Sequence, residues 1–579
     1  MTKGVADPCK ILVGIERIIR HEDNELLLAP YREEEIEITL KGMGPTKAPG
    51  PDGFPALFYQ STDIVLIPKV PKPTQLVNFR PISLCSVIYK VVAKTIANRL
   101  QTIMDKCIDK VQSTFVPGRL ITDNVLLAYE ILHTIKQKRL GKKGVMTVKL
   151  DMCKEYDRVE WRFIEEVMIK MGFACEWVEL LRRCVTSVNY AININGRRGD
   201  LFQPSRGFRQ GDPLSPFLFL ICSEGLSSLM RMARRNGLIK GIKASRQGPA
   251  VSHLLFADDC IIFGEASHIG AKIMKGVLQD YETCSGQCVN FSKSTIIFSL
   301  NSTEEVKAEV SRLLGVRVAT NPERYLGLPN MIGRRKKESI SKRIDGWSNR
   351  MLSQGGKEVF IKSALQAIPT FAMSCFLLPN FLCKKMEGIF AKFWWQKGKG
   401  RKGIHWCKWR YLCKPKNEGG MGFRNMAQFN IALLAKRGWR SSYAWRSIWA
   451  ARGILEKWII WKVGSGERIS IVHDSWVPDL VNSRFLSSYS GSSDNKVVEL
   501  INNQTREWKR EVVEDTFRAD EADKILCIPL AKHPHEDLRV WRADPTGVFS
   551  VKSTYKLLQN VDPSAYAIQI IYCDFYKKL

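Results

Sequence analysis

The chain has 579 residues, of which 45% are hydrophobic and 25% charged, a globular balance that excludes a mostly disordered protein. It carries 88 lysines and arginines against 58 aspartates and glutamates, which gives a formal net charge of +30. This excess favours a polyanionic partner such as nucleic acid, because each basic side chain that meets a phosphate releases counterions.

The N-terminal part of the chain alternates helical and strand-like patterns. Residues 1–40 are predicted to be helical, and a loop rich in glycine and proline follows at 42–55. A short apolar run at 63–67 is strand-like, and 84–107 has helical spacing.

The middle of the chain has the clearest patterns. VMTVKLDM predicts a strand that ends on an acid, because it is rich in β-branched residues and partly alternates. That strand covers residues 145–152. The other segments are predicted from their spacing and turn residues: a helix at 158–185, a hairpin at 190–202 that turns at Asn195-Gly196, a buried helix at 214–236, and two apolar runs around an acid pair at 253–264.

The segment HLLFADDCIIFG (253–264) places two adjacent carboxylates between its apolar runs. Buried strands avoid such pairs, because burying a charge is costly unless the charge is paired or bound to metal. A hairpin with Asp258 and Asp259 at its tip would present both acids to a binding cleft. An ordinary polar turn, in which Asp is common, explains this segment alone equally well.

A second strand that ends on an acid favours a metal site. Asp151 follows the apolar run of VKLDM (148–152). Two strands that each deliver a carboxylate can hold Mg²⁺, which prefers oxygen ligands and completes its shell with substrate phosphates. Two such ions can activate an attacking hydroxyl and stabilise the leaving oxygen, so this site in a basic chain favours nucleic-acid polymerisation.

Ten short motifs follow one another in a fixed order over roughly residues 40–330. Together they resemble the reverse transcriptases of non-LTR, LINE-type retrotransposons, and most of all the plant members. Family-like segments continue to about residue 555. The motifs are KAPGPDGFP (47–55), IVLIPK (64–69), NFRPISL (78–84), QSTFVPGRLITDN (112–124), VKLDM (148–152), EYDRVEW (155–161), RQGDPLSP (209–216), FADD (256–259), VNFSKS (289–294) and YLGLP (325–329).

The resemblance implies an α+β fold, a right-hand polymerase whose fingers, palm and thumb include an antiparallel palm sheet, followed by a mainly helical C-terminal region. It also implies four regions along the chain. These are a helical N-terminal remnant at 1–40, fingers and palm at 41–330, a thumb-like helical region at 331–395, and a basic, Trp-rich region at 396–579 with a truncated zinc-binding segment.

The resemblance also implies a role for each matching site residue. Asp151, Asp258 and Asp259 would be the catalytic carboxylates and metal ligands, and Lys293 would give a proton to the leaving pyrophosphate. Five residues would bind the incoming nucleotide: Lys69 and Arg80 at its triphosphate, Tyr156 under its sugar, where the ring excludes a 2′-OH, and Gln210 and Gly211 in the pocket wall. The alternatives are that Lys69 and Lys293 are solvated surface charges and that Gly211 serves only the turn.

The reaction implied is RNA-templated DNA synthesis with Mg²⁺, or with Mn²⁺ in its place. The expected partners are an RNA template, a DNA primer and dNTPs. No zinc is expected, because the chain ends at Leu579, before the Cys/His cluster of the family.

Three features bear on location. The N-terminus, MTKGVADPCK, lacks the apolar core of a signal peptide, so secretion is not expected. The 16 cysteines have no paired spacing, which indicates a reducing compartment. The stretch 363–383 is uncharged, but Pro369 and Pro379 favour a buried helix broken by proline over a membrane span. We therefore expect the nucleus, the cytoplasm or both, and no membrane partner.

Three departures from the family pattern leave two hypotheses open. The connection before residue 61 is short, Cys153 and Glu155 stand where plant members have Ser and Ala, and no endonuclease domain precedes the polymerase motifs. Glu155 would place a negative charge near a triphosphate, which repels it. The first hypothesis is an active RNA-directed DNA polymerase, which the three aspartates favour. The second is a catalytically impaired retroelement remnant that only binds RNA or DNA, which the departures favour.

The C-terminal region interleaves tryptophans with basic residues. Core packing is the favoured role for most of these rings, and stacking on single-stranded nucleic acid is the alternative. His405, Cys407 and Cys413 have a spacing that fits zinc poorly, so buried or free thiols are favoured. The tryptophans concerned are those at 394, 395, 406, 409, 439 and 445.

Overall fold

The structure is a computed structural model, and the chain divides into two compact units, residues 1–330 and 331–579. The residues that it describes are 9–42, 61–75, 78–85, 87–141, 143–154, 156–194, 197–243, 248–319, 352–396, 403–436, 455, 458–478, 495–502, 504–531, 533 and 535–560. The loop 43–60, Glu155, the turn Asn195-Gly196, the motif YLGLP and the tryptophans at 439 and 445 lie outside these ranges.

The N-terminal segment forms three helices: α1 (Cys9–Leu12), α2 (His21–Leu28) and α3 (Glu33–Gly42). The continuous helix predicted over 1–40 is therefore wrong in detail. Residues 15–20 are extended and pair with the end of the helix Trp161–Met171, because the amides of Ile18 and Ile19 donate to the carbonyl of Met171 at 2.9 Å. This segment belongs to the main core of the first unit, since Ile11, Ile15, Ile19 and Leu27 are all buried there.

The first unit contains a four-stranded sheet, which we call the fingers sheet after the predicted fingers region. Its strands lie in the order β2-β1-β4-β5, with β1 antiparallel to β2 and parallel to β4. The predicted strand at 63–67 and helix at 84–107 are confirmed. The elements are β1 (Ser61–Pro68), β2 (Phe79–Leu84), α4 (Val87–Cys107), β4 (Asn189–Ile194) and β5 (Arg197–Arg198).

A five-stranded sheet, which we call the palm sheet after the predicted palm region, has the order β11-β10-β3-β9-β8. Strand β3 (Val145–Leu150) is central and runs antiparallel to both neighbours, as its buried β-branched residues favour. Strand β8 (His253–Phe256) and strand β9 (Asp259–Glu265) form the predicted hairpin, with Asp258 in the turn between them and Asp259 as the first residue of β9. On the other side of β3 lies β10 (Thr295–Phe298), and the edge strands of the sheet are β8 and β11 (Arg317–Val318). A separate small hairpin joins β6 (Ile242–Lys243) to β7 (Ala250–Val251).

Helices cover this palm sheet and form one hydrophobic core with it. The central one, α8 (Ser215–Arg235), buries 16 of its 21 residues, which confirms the predicted buried helix. At Gly225 a β-carbon would come within 2.7 Å of the Phe163 ring, so the glycine allows α8 and α6 to approach closely. The other helices are α5 (Ile121–Gln137), α6 (Trp161–Met171), α7 (Cys175–Thr186), α9 (His268–Ser285) and α10 (Glu304–Leu314).

The second unit is built around separate hydrophobic clusters. The uncharged stretch 363–383 is interrupted as predicted, because Pro369 and Pro379 each immediately precede a helix. No helix among the described residues has both the length and the apolar character to cross a membrane. The helices are α11 (Gln354–Phe360), continued by a π-helical turn (Ile361–Leu365), α12 (Thr370–Cys375), α13 (Asn380–Trp395), α14 (Trp409–Leu412), α15 (Met426–Ala435), α16 (Arg510–Thr516), α17 (Ala519–Leu526) and α18 (Val551–Asn560).

Short strands complete the described part of the second unit, and they form two antiparallel pairs. They are β12 (Ile459–Lys462) with β15 (Leu538–Trp541), and β13 (Ile501–Asn502) with β14 (Glu507–Trp508), and short 3-10 helices lie at Lys416–Glu418 and Val497–Leu500.

Candidate active site

The palm sheet brings the three predicted carboxylates together at one end of its central strands. Strand β3 pairs with β9 up to Leu150 opposite Cys260, so the next position in this register sets Asp151 opposite Asp259. Asp258 lies in the two-residue turn between β8 and β9. Asp151 and Asp258 are exposed and Asp259 is half-buried, which leaves all three accessible to a ligand.

The electrostatics of Asp259 show that the carboxylates share one site. Partial burial raises the pKa of Asp259, the charge of Lys149 opposes the shift, and Asp258 and Asp151 raise it further. The Lys149 ammonium lies 3.9 Å from the Asp259 carboxylate. Negative charges gathered in this way repel one another, and a bound cation would relieve that repulsion.

The buried side chain of Gln112, which the sequence marked only as the first residue of a motif, holds the acid turn by hydrogen bonds. The side-chain oxygen of Gln112 accepts hydrogen bonds from the amides of Ala257 and Thr114, both at 3.2 Å. Gln112 is 1% exposed, and Ala257 has a positive φ of 52° that a residue with a β-carbon rarely adopts. Its neighbour Asn124 donates to the Leu255 carbonyl at 2.8 Å.

The loop that carries Gln112 is itself tied down by one guanidinium. Arg119 donates to the carbonyls of Ile108 and Gln112, each at 2.7 Å, and to the carboxylate of Asp105 at 2.9 Å. Residues 108–119 therefore form a fixed support beneath the acid turn.

The segment that contains Lys293 runs directly beside Asp151. The Asn290 amide donates to the Asp151 carbonyl at 2.7 Å, and the Asp151 amide donates to the Ser294 hydroxyl at 3.1 Å. Lys293 is exposed on the turn between these two contacts. The structure thus brings Lys293 and Asp151 into one local unit.

Tyr156 lies on the segment that follows Asp151. Its half-buried ring stacks on Phe219 of α8, with centroids 5.2 Å apart and planes at 9°. Its carbonyl accepts from the Phe208 amide at 2.6 Å, so the chain after Asp151 is joined to the segment that leads to Gln210. At Gly207, whose φ is 89°, a β-carbon would lie 2.8 Å from the Asp157 carbonyl, which explains the glycine.

Gln210 and Gly211 form a turn that contacts the fingers sheet. The Gln210 carbonyl accepts from the Ser83 amide of β2 at 3.0 Å. Gly211 has a φ of 107°, and a β-carbon there would lie 3.4 Å from the Ser83 carbonyl. The turn therefore needs glycine for its backbone conformation, and it links β2 to the palm.

Two buried charges flank this turn, and the sequence did not single them out. The side chains of Arg209 and Asp212 are 2% and 0% exposed and lie 3.8 Å apart. Arg209 also donates to the Tyr89 hydroxyl and the Cys184 carbonyl, while the Asp212 carboxylate accepts from Ser215 at 2.7 Å. A buried ion pair with these extra hydrogen bonds fixes both ends of the Gln210–Gly211 turn.

Lys69 and Arg80 lie on the hairpin formed by β1 and β2. Ile67 pairs with Arg80, and the Lys69 amide donates to the Asn78 carbonyl at 2.8 Å, so the pairing continues one residue past the end of β1. Side chains two residues apart along a paired strand share a face, so this pairing puts Lys69 and Arg80 on the same face. Both are exposed. Water exclusion by the surrounding protein raises the pKa of Asp157, and Lys154 and Lys69 oppose that shift, which places Lys69 within electrostatic reach of the residue after Tyr156.

The carboxylates fit a divalent cation that shares its ligands with substrate. Within the described ranges no three His, Cys, Asp or Glu side chains are arranged to hold a metal ion by themselves. Mg²⁺ commonly takes one or two carboxylates and completes its shell with water and phosphate oxygens. Accessible acids on adjacent strands, with mutual repulsion at Asp259, are consistent with that kind of site.

Residues 68–329 match the family model "Reverse transcriptase (RNA-dependent DNA polymerase)". The chain is similar to the transposon TX1 149 kDa protein of Xenopus laevis, with 25% identity over 454 residues, 72% of this chain and 33% of that protein. It is also similar to the Pol polyprotein of retrotransposable element R2 of Nasonia vitripennis, with 28% identity over 207 residues, 36% of this chain and 19% of that protein. Other relatives include proteins of Arabidopsis thaliana.

Among solved structures, the telomerase of Candida tropicalis in complex with telomeric RNA aligns with a TM-score of 0.33 and 13% identity, over 68% of this chain and 64% of that one. The chain spans a third or less of the two retroelement proteins. The family match confirms the predicted α+β polymerase class. Residues 68–329 are therefore similar to reverse transcriptase domains, and the relatives of the chain include proteins of transposable elements.

Proposed function

We propose that this chain is an RNA-directed DNA polymerase of a plant LINE-type retroelement. The observation that carries the proposal is the register of the palm sheet, which sets Asp151 opposite Asp259 and beside Asp258 within a reverse transcriptase domain. The plant assignment is supported by the amino-acid sequences of the motifs KAPGPDGFP and FVPGRLITDN and by the Arabidopsis relatives. RNA template, DNA primer and dNTPs are the corresponding partners.

Asp151 and Asp258 would be the main ligands of two Mg²⁺ or Mn²⁺ ions, with Asp259 completing the carboxylate group. When bound, such ions supply activation of the primer 3′-OH and charge stabilisation of the leaving oxygen. The protein's own contribution is to hold the carboxylates together before the substrate binds. The brace from Gln112 to Ala257 and the bond from Ser294 to the Asp151 amide keep the acids in place.

The remaining site residues would hold the nucleotide. Lys69 and Arg80 share one face of the fingers hairpin, where a lysine and an arginine suit a triphosphate. Tyr156, fixed by its stack on Phe219, would lie under the sugar and disfavour a 2′-OH. Gln210 and Gly211 would shape the pocket wall.

Lys293 would complete the reaction on the product side. Its exposed ammonium lies on the turn that is bonded to the backbone of Asp151, where it could give a proton to the departing pyrophosphate.

Primer extension on an RNA template tests the proposal. The wild-type chain should extend a DNA primer with dNTPs in a Mg²⁺-dependent reaction, and the double variant Asp258→Asn/Asp259→Asn should lose this by on the order of a thousandfold or more, since metal charge stabilisation is worth several kcal/mol. The matched control is Asp280→Asn, a half-buried aspartate on α9 of the same unit. It should extend like wild type.

The second hypothesis, a remnant that binds without polymerising, rests on Glu155 and the short connection before residue 61. The described part of the fingers hairpin is formed, with Lys69 at the end of β1. No extension by a folded wild-type chain, together with salt-sensitive RNA binding, would replace the polymerase proposal with the remnant. Restored extension in Glu155→Ala would identify that residue as the cause.

A further inference from the structure

Among the tryptophans of the second unit that the structure describes, Trp406 is on the surface. Trp394 is 6% exposed, and Trp409 stacks on Phe423 with centroids 4.9 Å apart and planes at 4°, as core packing predicts. Trp406 is instead 77% exposed. Ile404 and Tyr411 of the same segment are also exposed, at 63% and 46%, and several large apolar side chains exposed together mark a binding site more often than a single one does.

The segment around Trp406 has one side that packs into the protein and one side that faces solvent. Trp409, Leu412 and Cys413 pack into the hydrophobic cluster of this unit and anchor the segment. The side chains between them face solvent. We call these exposed residues the Trp406 surface: Ile404, Trp406, Lys408, Arg410, Tyr411 and Lys414.

The cations of the Trp406 surface gather around Tyr411. Arg410 donates to the Tyr411 hydroxyl at 2.8 Å and lies 4.8 Å from its ring centre. That hydrogen bond and the charge of Arg410 lower the pKa of Tyr411, and Lys408 and Lys414 lower it further, so all three cations act on one hydroxyl. Within the described part of the chain, no carboxylate forms a salt bridge with any of the three.

From this arrangement we propose that the Trp406 surface of the second unit binds single-stranded RNA. Two exposed rings can stack on unpaired bases, and three cations without acidic partners can follow the phosphates. A protein partner would need an apolar patch with few charges, whereas here Lys408, Arg410 and Lys414 surround the rings. The surface would hold the template or transcript while the palm carries out synthesis.

Fluorescence anisotropy with the full-length chain and fluorescein-labelled oligouridine tests this. An unlabelled primer–template is first added to saturation, so that the polymerase site does not contribute. Trp406→Ala should weaken the remaining binding by about tenfold, the usual effect of removing one stacking ring. Lys408→Gln with Arg410→Gln should reduce the slope of log affinity against log salt by about 1.4, because each cation contributes about 0.7 on a single strand.

The matched control is Lys509→Gln with Arg510→Gln, an exposed lysine–arginine pair on another part of the same unit, which should bind like wild type. Photocrosslinking of the wild-type chain to 4-thiouridine RNA, mapped by mass spectrometry, should label the peptide that contains Trp406. Unchanged affinity in Trp406→Ala, or an equal loss in the control, would overturn the proposal.

This test is separate from that of the polymerase. The Trp406→Ala chain should still extend a preannealed primer with the wild-type rate at saturating template. Loss of extension with unchanged oligouridine binding would count against the surface and leave the polymerase assignment intact.

Discussion

The acid turn of the palm and the cationic hairpin of the fingers are held by the fold to different degrees. Around the acids, Leu255, Ile262 and Phe263 are at most 2% exposed, and Gln112 bonds to the turn from below. On the fingers hairpin, Ile67 is 49% exposed, and Lys69 and Arg80 lie on the same open face. The palm side is packed from both faces of its sheet, whereas this end of the hairpin is half solvated.

This difference suggests a division of work. Buried strands fix the acids before any ligand arrives, which suits a metal site whose geometry must be accurate. An open hairpin lets long cationic side chains adjust to a triphosphate that enters and leaves. We therefore expect metal binding to survive changes in the fingers that abolish nucleotide binding.

The largest loss of stability should come from the buried pair that joins the two regions. Asp212→Ala leaves the Arg209 guanidinium buried without its carboxylate, and removing one partner of such a pair costs about 3–5 kcal/mol. Urea unfolding of the full chain should show this loss. Ser215→Ala, which removes only a hydroxyl bonded to Asp212, should cost about 1 kcal/mol. Equal losses in the two variants would mean that the ion pair does not hold the turn.

Removing one positive charge from the fingers hairpin should weaken nucleotide binding and leave metal binding unchanged. Lys69→Gln or Arg80→Gln should raise the KM for dNTPs by about tenfold to a hundredfold, the worth of one charge-assisted hydrogen bond to phosphate, while the Mg²⁺ dependence stays unchanged. Steady-state extension at varied dNTP and Mg²⁺ measures both. Lys72→Gln, at an exposed lysine in the same connection, is the control and should leave KM as it was. A shifted Mg²⁺ requirement would contradict the division of work.

Much of the fold follows from local patterns in the sequence. The β-branched run before Asp151, the two apolar runs around Asp258 and the apolar stretch at 214–236 each predict the element that the structure has there. The helix predicted over 1–40 fails, because burial of Ile15 and Ile19 against the helix Trp161–Met171 draws residues 15–20 into an extended path. Tertiary packing overrides helical spacing there.

The supports of the site could not be predicted in the same way. Gln112 and Ala257 are 145 residues apart in the chain, and Arg209 reaches Tyr89 across 120 residues. Neither pairing leaves a periodic or compositional signal. The roles of Lys69, Arg80, Tyr156, Gln210 and Lys293 came from motif order and stay predictions.

Loss of the glutamine brace should affect the palm and spare the fingers. Gln112→Met keeps the side-chain volume but leaves the Ala257 and Thr114 amides without their acceptor, a loss worth about 1–3 kcal/mol. Part of this should appear as a several-fold higher Mg²⁺ concentration for half-maximal extension, with an unchanged KM for dNTPs. Gln366→Met, at a buried glutamine of the second unit, controls for general destabilisation. The brace has no positioning role if both variants respond to Mg²⁺ alike.

The smallest expected effect concerns how the N-terminal helices are joined to the first unit. Glu35 of α3 accepts two bonds from Arg99 of α4, at 2.7 and 2.6 Å, and these bonds lower the pKa of Glu35 from 4.5 to about 2. A lowered pKa means that the stabilisation is fully present above about pH 4.5 and is lost as the pH falls towards 2.

Glu35→Gln should therefore cost about 1 kcal/mol of unfolding free energy at neutral pH, with a smaller difference from wild type at about pH 3. Urea unfolding at both pH values measures this, and Glu34→Gln, at an exposed neighbour, should change neither. A difference that grows on acidification would show that the Arg99 pair does not hold α3. The N-terminal segment would then depend on its buried isoleucines alone, as the palm strands depend on theirs.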